Sequence, residues 1–149
     1  MPTDFSIMRL KGSYETFGIV IDFLAGVEPF ARYDLGNLAR MVQYQLREGH
    51  HLAAVTRDSL VGYCGWLPTT ASTADAWLAT GVALEPLAAG TKPDAVVLTV
   101  VAGRDRAALF SLFGELQRLS PFDRIYFKRE YPSRSRAPIK RVISGSRAS

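Results

Sequence analysis

The sequence predicts an α/β sandwich in which helices flank a central mixed, largely antiparallel sheet. Residues 51–68, HLAAVTRDSLVGYCGWLP, alternate between apolar and polar or small side chains on both sides of a polar turn, as an antiparallel hairpin does. Two helical patterns precede this hairpin, and a strand-helix-strand pattern follows it. An antiparallel pair joined to such a unit is typical of a mixed sheet covered by helices.

Length and composition limit the possible architectures. The chain has 149 residues, of which 48% are hydrophobic, so one core can form but two domains cannot. We expect a single domain over residues 1–143 and a disordered tail over residues 144–149. The only cysteine, Cys64, lies in an apolar strand pattern, which favours a buried thiol and a cytoplasmic protein. No leader pattern or apolar run near the ~20 residues of a bilayer span occurs, so no membrane span is expected.

Two amphipathic helices are predicted before the hairpin. The first covers residues 14–26, and its Asp22 is expected to face solvent on the narrow polar side. The second covers residues 35–48, with Asp34 as a favourable N-cap and Gly49 at its end. The apolar face of the second helix is expected to pack on the sheet.

A strand-turn-helix-strand unit is predicted after the hairpin. Residues 94–102 form a continuous, largely β-branched run that is typical of a strand buried on both faces. The turn Gly103-Arg104-Asp105 leads to a helix over residues 106–119 and a strand over residues 121–129. Backbone N–H groups at this helix start could face a phosphate. However, no glycine-rich phosphate motif is present, so free coenzyme A is not expected.

The segment between the hairpin and this unit is harder to interpret. Residues 73–80 are predicted to form a short helix or edge segment that carries Trp77, and residues 81–92 have no clear pattern. The apolar positions around Trp77 and Leu84 could form part of the core or a face of a homodimer.

Positive charge is concentrated at the C-terminal end. The net charge is +4 overall, but +7 from Arg124 to Ser149. This end is expected either to attract an acidic partner or to act as a solubilising tail. The residues proposed for an acidic or carrier-protein partner are Arg124, Lys128, Arg129, Arg134 and Arg136. Nucleic acid is not expected as the partner, because the sequence has no basic recognition helix and no RNA-binding sheet signature.

Two adjacent histidines lie at the junction of the second helix and the hairpin. Neighbouring strand side chains point to opposite faces, and no third ligand stands at a suitable spacing, so His50 and His51 do not predict a metal site. A histidine at such a junction is expected to be exposed and solvated, although one of the two could act as a general base.

The hairpin resembles the central hairpin of the toxin-activating lysine acyltransferases, small proteins that fatty-acylate RTX toxins. The shared features are the Thr56-Arg57-Asp58 turn and the Tyr63-Cys64-Gly65-Trp66 strand, and the similarity continues in order over about residues 15–130. This resemblance implies a GNAT-like fold and transfer of a fatty acyl group from acyl carrier protein to a lysine of a toxin-like protein or peptide. It implies no bound cofactor.

The catalytic residues of that family do not carry over to this chain. Its members use a His and a nearby Ser between the first two helices, and an Asp on the strand after the hairpin. The corresponding positions here are Phe30 or Ala31, Val27 and Thr99. An acyltransferase would therefore need a relocated base, for which His51 and Asp22 are the candidates. The alternative is an inactive relative that binds or scaffolds a carrier protein or a toxin-like client.

Overall fold

A computed structural model of the chain describes residues 5–120, 124–129 and 139–144. Its elements are β1 (Ser6–Met8), α1 (Tyr14–Ala25), a 3-10 turn (Phe30–Arg32), α2 (Leu35–Glu48), β2 (His51–Val55), β3 (Leu60–Thr69), α3 (Ala71–Thr80), β4 (Ala95–Gly103), α4 (Arg106–Leu119), β5 (Arg124–Arg129) and β6 (Ile139–Ser144). The strand order is β1-β2-β3-β4-β5-β6. Strand β4 pairs with β5 in parallel, whereas the pairs β1–β2, β2–β3 and β5–β6 are antiparallel. The predicted α/β class with a mixed, largely antiparallel sheet is confirmed.

The helix ends follow local chemistry. The side chain of Ser13 accepts a hydrogen bond from the Thr16 N–H and caps α1. Asp34 Oδ1 accepts from the Asn37 N–H at 3.0 Å and caps α2. Gly49 then ends α2 with φ of 72°, a left-handed conformation that glycine adopts without strain. Both predicted helices before the hairpin are confirmed to within one residue.

The chain divides into two compact units. The first comprises the residues up to Gly65 together with Val100–Glu115, and the second comprises Trp66–Thr99 together with the residues from Leu116 onward. The single-domain expectation stays a prediction. Of the tail predicted over residues 144–149, Ser144 ends β6, and residues 145–149 lie outside the described residues.

In the first unit, α1 and α2 pack on one face of the sheet. The buried cluster consists of Val20, Leu24, Phe30, Leu38, Val42, Leu46, Tyr63, Val100 and Ala102. Phe30, at the position of the family's histidine, is 6% exposed, and burying such a ring contributes about 1.5–3 kcal/mol. Val27, at the position of the family's serine, packs against the same cluster. These two positions therefore belong to a hydrophobic core.

Helix α4 contacts the opposite face of the sheet in this unit. A Cβ atom added to Gly62 would lie 3.0 Å from Leu112 Cδ1 and 3.2 Å from Ala54 Cβ. Because neighbouring strand residues face opposite sides, Gly62 faces α4 while Tyr63 faces the α1 and α2 cluster. The absence of a side chain at Gly62 allows α4 to approach the sheet closely.

In the second unit, α3 covers part of β4 and β5. Its core cluster contains Ala74, Ala95, Val97 and Tyr126, with Ala71, Trp77, Leu78 and Leu84 packed against it. Trp77 and Leu84 therefore contribute to the core, which was one of the two alternatives left open by the sequence. Residues 81–94 contain no helix or strand, in agreement with their lack of pattern.

Candidate functional site

His51 lies inside the first unit with both ring nitrogens engaged by the backbone. Its side chain is fully buried, Nε2 lies 2.8 Å from the Leu10 nitrogen, and Nδ1 lies 3.0 Å from the Gln45 carbonyl oxygen. The Leu10 N–H can only donate, so Nε2 accepts and Nδ1 carries the proton donated to Gln45. This arrangement defines a neutral imidazole of one tautomer.

The expectation that the junction histidine is exposed is wrong for His51. The ring stacks on Tyr63 with centroids 6.0 Å apart. Burial is the largest cause that lowers the pKa of His51, and the hydrogen bond to Gln45 opposes it. A general base needs a lone pair within reach of the substrate, and here the Nε2 lone pair is held by the Leu10 N–H. His51 therefore joins the segment after β1 to the start of β2.

The neighbouring buried network links α2 to β3. The Tyr63 hydroxyl donates to Gln45 Oε1 at 2.8 Å, and both side chains are buried. Burial is the main cause that raises the pKa of Tyr63, so the hydroxyl stays protonated and acts as a donor. Gly65 lies directly beside the Gln45 side-chain amide, so this position has no room for a Cβ atom. The network holds the second helix in register with the hairpin.

Cys64 is a free, buried thiol in the same strand. Burial raises its pKa to about 12, so the nucleophilic thiolate is scarce at neutral pH. We predict that a thiol reagent such as iodoacetamide labels Cys64 slowly in the native protein and rapidly in 6–8 M urea, where the strand is exposed. Intact mass spectrometry at matched times measures both rates, and fast native labelling would show that this strand opens readily.

Asp22, the other candidate base, lies on the exposed side of α1, as predicted. Within the described part of the chain, no hydrogen bond or ion pair fixes its carboxylate. His50 is half-buried at the end of α2 and contacts Tyr44 edge-to-face, with ring centroids 5.6 Å apart. Burial is the largest cause that lowers the pKa of His50. The neighbouring His50 is one of the groups that lower the pKa of His51.

The turn between β4 and α4 combines close packing with exposed positive charge. The Arg104 N–H donates to the Val61 carbonyl at 2.8 Å, which fixes the turn against β3. Asp105 Oδ1 accepts from the Ala108 N–H at 2.9 Å and caps α4. The side chains of Arg104 and Arg106 are exposed and form no ion pair or hydrogen bond with any residue in the described ranges.

The basic face of β5 lies against α3 in the second unit. The Tyr126 hydroxyl donates to Asp75 Oδ1 at 2.9 Å, and Arg124 Nη1 lies 3.5 Å from the Tyr126 oxygen. Lys128 Nζ donates to the Trp77 carbonyl at 2.7 Å and lies 4.0 Å from the centroid of the Trp77 ring. Alternate residues of β5 therefore attach α3 to the sheet.

The five residues predicted to contact an acidic partner thus lie in different settings. Arg124 is exposed, and Lys128 is engaged with α3. Arg129 lies in β5, whereas Arg134 and Arg136 lie outside the described residues. A carrier-binding role for this group stays a prediction.

We predict that Lys128→Met lowers the free energy of unfolding by about 1–2 kcal/mol, because it removes a hydrogen bond and a cation–π contact. Urea denaturation followed by tryptophan fluorescence measures the change. Lys92→Met is the matched control, because Lys92 is exposed and its side chain has no hydrogen bond or ion pair with a described residue. Equal midpoints for the two variants would contradict a structural role for Lys128.

Two features of the described residues bear on the class of site. Within residues 5–120, 124–129 and 139–144, no group of three or more His, Cys, Asp or Glu side chains could hold a metal ion. Over the same residues, every helix is too short or too polar to cross a membrane.

Comparisons with known proteins identify the fold. No protein-family model matches the chain, and no curated protein matches it. Among solved structures, a GNAT-family acetyltransferase from Bacillus cereus aligns over 88% of this chain and 75% of its own, with 12% identity and a TM-score of 0.55. The chain has a GNAT-like fold.

Two further structures support this fold. The loading GNATL domain of CurA from Lyngbya majuscula covers 91% of this chain and 71% of its own, with 15% identity and a TM-score of 0.56. The GphF GNAT-like decarboxylase, solved with isobutyryl-CoA, covers 85% and 67%, with 17% identity and a TM-score of 0.58. At these identities the likeness establishes the fold, and the activity has to be argued from the residues.

Proposed function

We propose that this chain transfers an acyl group from the phosphopantetheine thiol of an acyl carrier protein to the ε-amine of a lysine in a toxin-like protein or peptide. The GNAT-like fold supports acyl-group chemistry, since the compared structures include an acetyltransferase and a decarboxylase with a bound acyl-CoA. The hairpin resemblance supports the choice of carrier protein and lysine. Both reacting partners would meet in the cytoplasm of the producing cell.

The main structural support for this proposal comes from the β4–α4 turn. Arg104 and Arg106 present two guanidinium groups at the start of α4, where they can bind phosphate oxygens. The Ala108 N–H donates to the Asp105 carboxylate, so this N–H is not available to a phosphate. Asp105 also adds a negative charge at the same place. Coenzyme A brings a diphosphate and a further phosphate, whereas a carrier-linked pantetheine brings one phosphodiester. The turn therefore favours the single phosphodiester of a carrier protein.

The reaction needs a neutral amine and a nearby thioester. The amine nitrogen attacks the carbonyl carbon, a C–N bond forms, the C–S bond breaks, and the thiolate takes up a proton while the amine loses one. His51 has its lone pair engaged, so it does not supply the base in this arrangement. Catalysis by the described residues then rests on positioning of the two substrates, which alone can give large rate enhancements.

The proposal is tested with a fatty acyl group loaded on a carrier protein. The purified protein is incubated with this thioester and a lysine-containing peptide, and intact mass spectrometry detects the acyl mass shift. We expect transfer from the carrier, little transfer from the same acyl group on coenzyme A, and a loss of at least tenfold in the Arg104→Glu, Arg106→Glu double variant. Arg57→Glu is the matched control, because Arg57 is exposed in the β2–β3 turn.

The outcomes separate the possible functions. Equal transfer from coenzyme A would overturn the preference for a carrier protein. Carrier binding without transfer would favour the alternative, a non-catalytic subunit that binds a carrier or a client. Neither binding nor transfer would overturn the proposed function.

A further inference from the structure

The solvent-facing side of α4 has an unusual composition in the first unit. Arg106, Phe110 and Gly114 follow one another at spacings of four residues, so they share one face of the helix. All three are exposed, and Phe110 is 70% exposed. These three residues and the exposed Arg104 of the preceding turn are defined here as the α4 docking face.

Phe110 is the apolar part of this face. An aromatic ring that stays exposed to water does not gain the favourable free energy that its burial would give. Exposed aromatic residues flanked by charge are typical of protein interfaces, where they act as anchors. Phe110 is therefore suited to insert into a pocket of a partner molecule.

Gly114 independently supports a partner-binding role for this face. Glycine in a helix interior is destabilising relative to alanine, because it loses more backbone entropy on folding. A Cβ atom at this position would meet nothing within 4 Å, so packing inside the chain does not require glycine here. The missing side chain does leave space for another backbone to approach next to Phe110.

The charge of the face indicates which partner would approach. Cations near a helix N-terminus are disfavoured by the helix dipole, and with Asp105 between them Arg104 and Arg106 leave the turn with one net positive charge. An acidic partner would offset this disadvantage. A second copy of this chain, with a net charge of +4, would bring the same arginines near each other across a two-fold interface.

We propose that the α4 docking face binds an acidic helix of the acyl carrier protein, with Phe110 in an apolar groove of the carrier and Arg104 and Arg106 against both the phosphodiester and the carboxylates next to it. This inference rests on the proposed function, which supplies the acidic partner. The face begins at the β4–α4 turn, so a carrier docked there would hold its phosphopantetheine beside Arg104 and Arg106.

The test compares two pairs of variants, one on α4 and one on α1, and each pair contains one aromatic-to-alanine and one glycine-to-tryptophan substitution. Phe110→Ala and Gly114→Trp alter the docking face, whereas Tyr14→Ala and Gly18→Trp alter an exposed aromatic residue and an exposed helical glycine four positions later on α1. The dissociation constant for a phosphopantetheinylated acyl carrier protein is measured by calorimetry at two salt concentrations. We expect each α4 variant to bind at least tenfold more weakly, the α1 variants to bind like wild type, and wild-type binding to weaken with salt.

Hydrogen exchange provides a measurement that needs no variant. Adding the carrier protein should slow amide exchange in residues 106–115 and leave α1 unchanged. Binding and transfer that the α4 variants do not impair would overturn the docking face while leaving the proposed function intact. A wild-type protein that binds no carrier would overturn both. A dimer dissociated by Phe110→Ala in size-exclusion chromatography would show that a second copy is the occupant, which would also overturn this inference.

Discussion

Gly65→Ala is expected to lower the free energy of unfolding by about 3 kcal/mol or more, since it combines overpacking with the loss of a buried hydrogen bond. A methyl group at this position would overlap the Gln45 side-chain amide. Gln45 is 1% exposed and accepts the Tyr63 hydroxyl hydrogen bond, so it cannot move without disrupting that contact. Urea denaturation at neutral pH measures the change.

Gly18→Ala is the matched control for this substitution. Gly18 lies within α1, and a Cβ atom there would meet nothing within 4 Å. Because alanine favours the helix, we expect Gly18→Ala to raise stability by about 0.5–1 kcal/mol. A similarly small effect at Gly65 would mean that the Gln45 network is not rigid.

His51→Phe is expected to lower the free energy of unfolding by about 1–3 kcal/mol, because it leaves the partly buried Leu10 N–H without its acceptor. The phenyl ring keeps the size of the side chain and the stacking on Tyr63. A control is His50→Phe, at the half-buried neighbouring position. Equal losses in the two variants would contradict the specific role of the His51 hydrogen bonds.

The same histidine predicts how stability depends on pH. The pKa of His51 is lowered in the folded protein, so below about pH 6.5 the unfolded chain binds a proton that the folded chain does not. The contribution of His51 is therefore complete above about pH 6.5 and is lost as the pH falls below it. The pKa of His50 is lowered too and acts in the same direction.

Protonation would also convert the Nε2 acceptor into a donor facing the Leu10 N–H. Urea midpoints measured from pH 7.5 to 5 should therefore fall for the wild-type protein and fall less for His51→Phe. Parallel pH profiles for the two proteins would show that His51 is not the group responsible.

The elements that the sequence predicted best depend on neighbouring residues. Helix α2 has an apolar residue every three or four positions, a capping Asp34 and a terminal Gly49, all within one short stretch. Strands β3 and β4 likewise show their patterns within ten residues each. Periodicity and capping act over such distances, so the fold class and most element positions followed from them.

The candidate site depended on contacts between distant residues. His51 and Leu10 are 41 positions apart, and Lys128 and Trp77 are 51 positions apart. No local pattern indicates that a histidine after a helix will be buried, or that a lysine in a basic strand will be engaged by a helix. The apolar surroundings of Gln45 in α2 were the one signal that could have indicated a buried polar network.

From the sequence alone, the α/β class, the helices around the hairpin and the concentration of positive charge could be established. Only the tertiary structure decided that His51 is a buried structural residue, that Lys128 attaches α3, and that Arg104, Arg106 and Phe110 stay exposed. The physical reason is that secondary structure arises from interactions between near neighbours. Burial, hydrogen bonding and the availability of a charge depend on which distant side chains pack beside each residue.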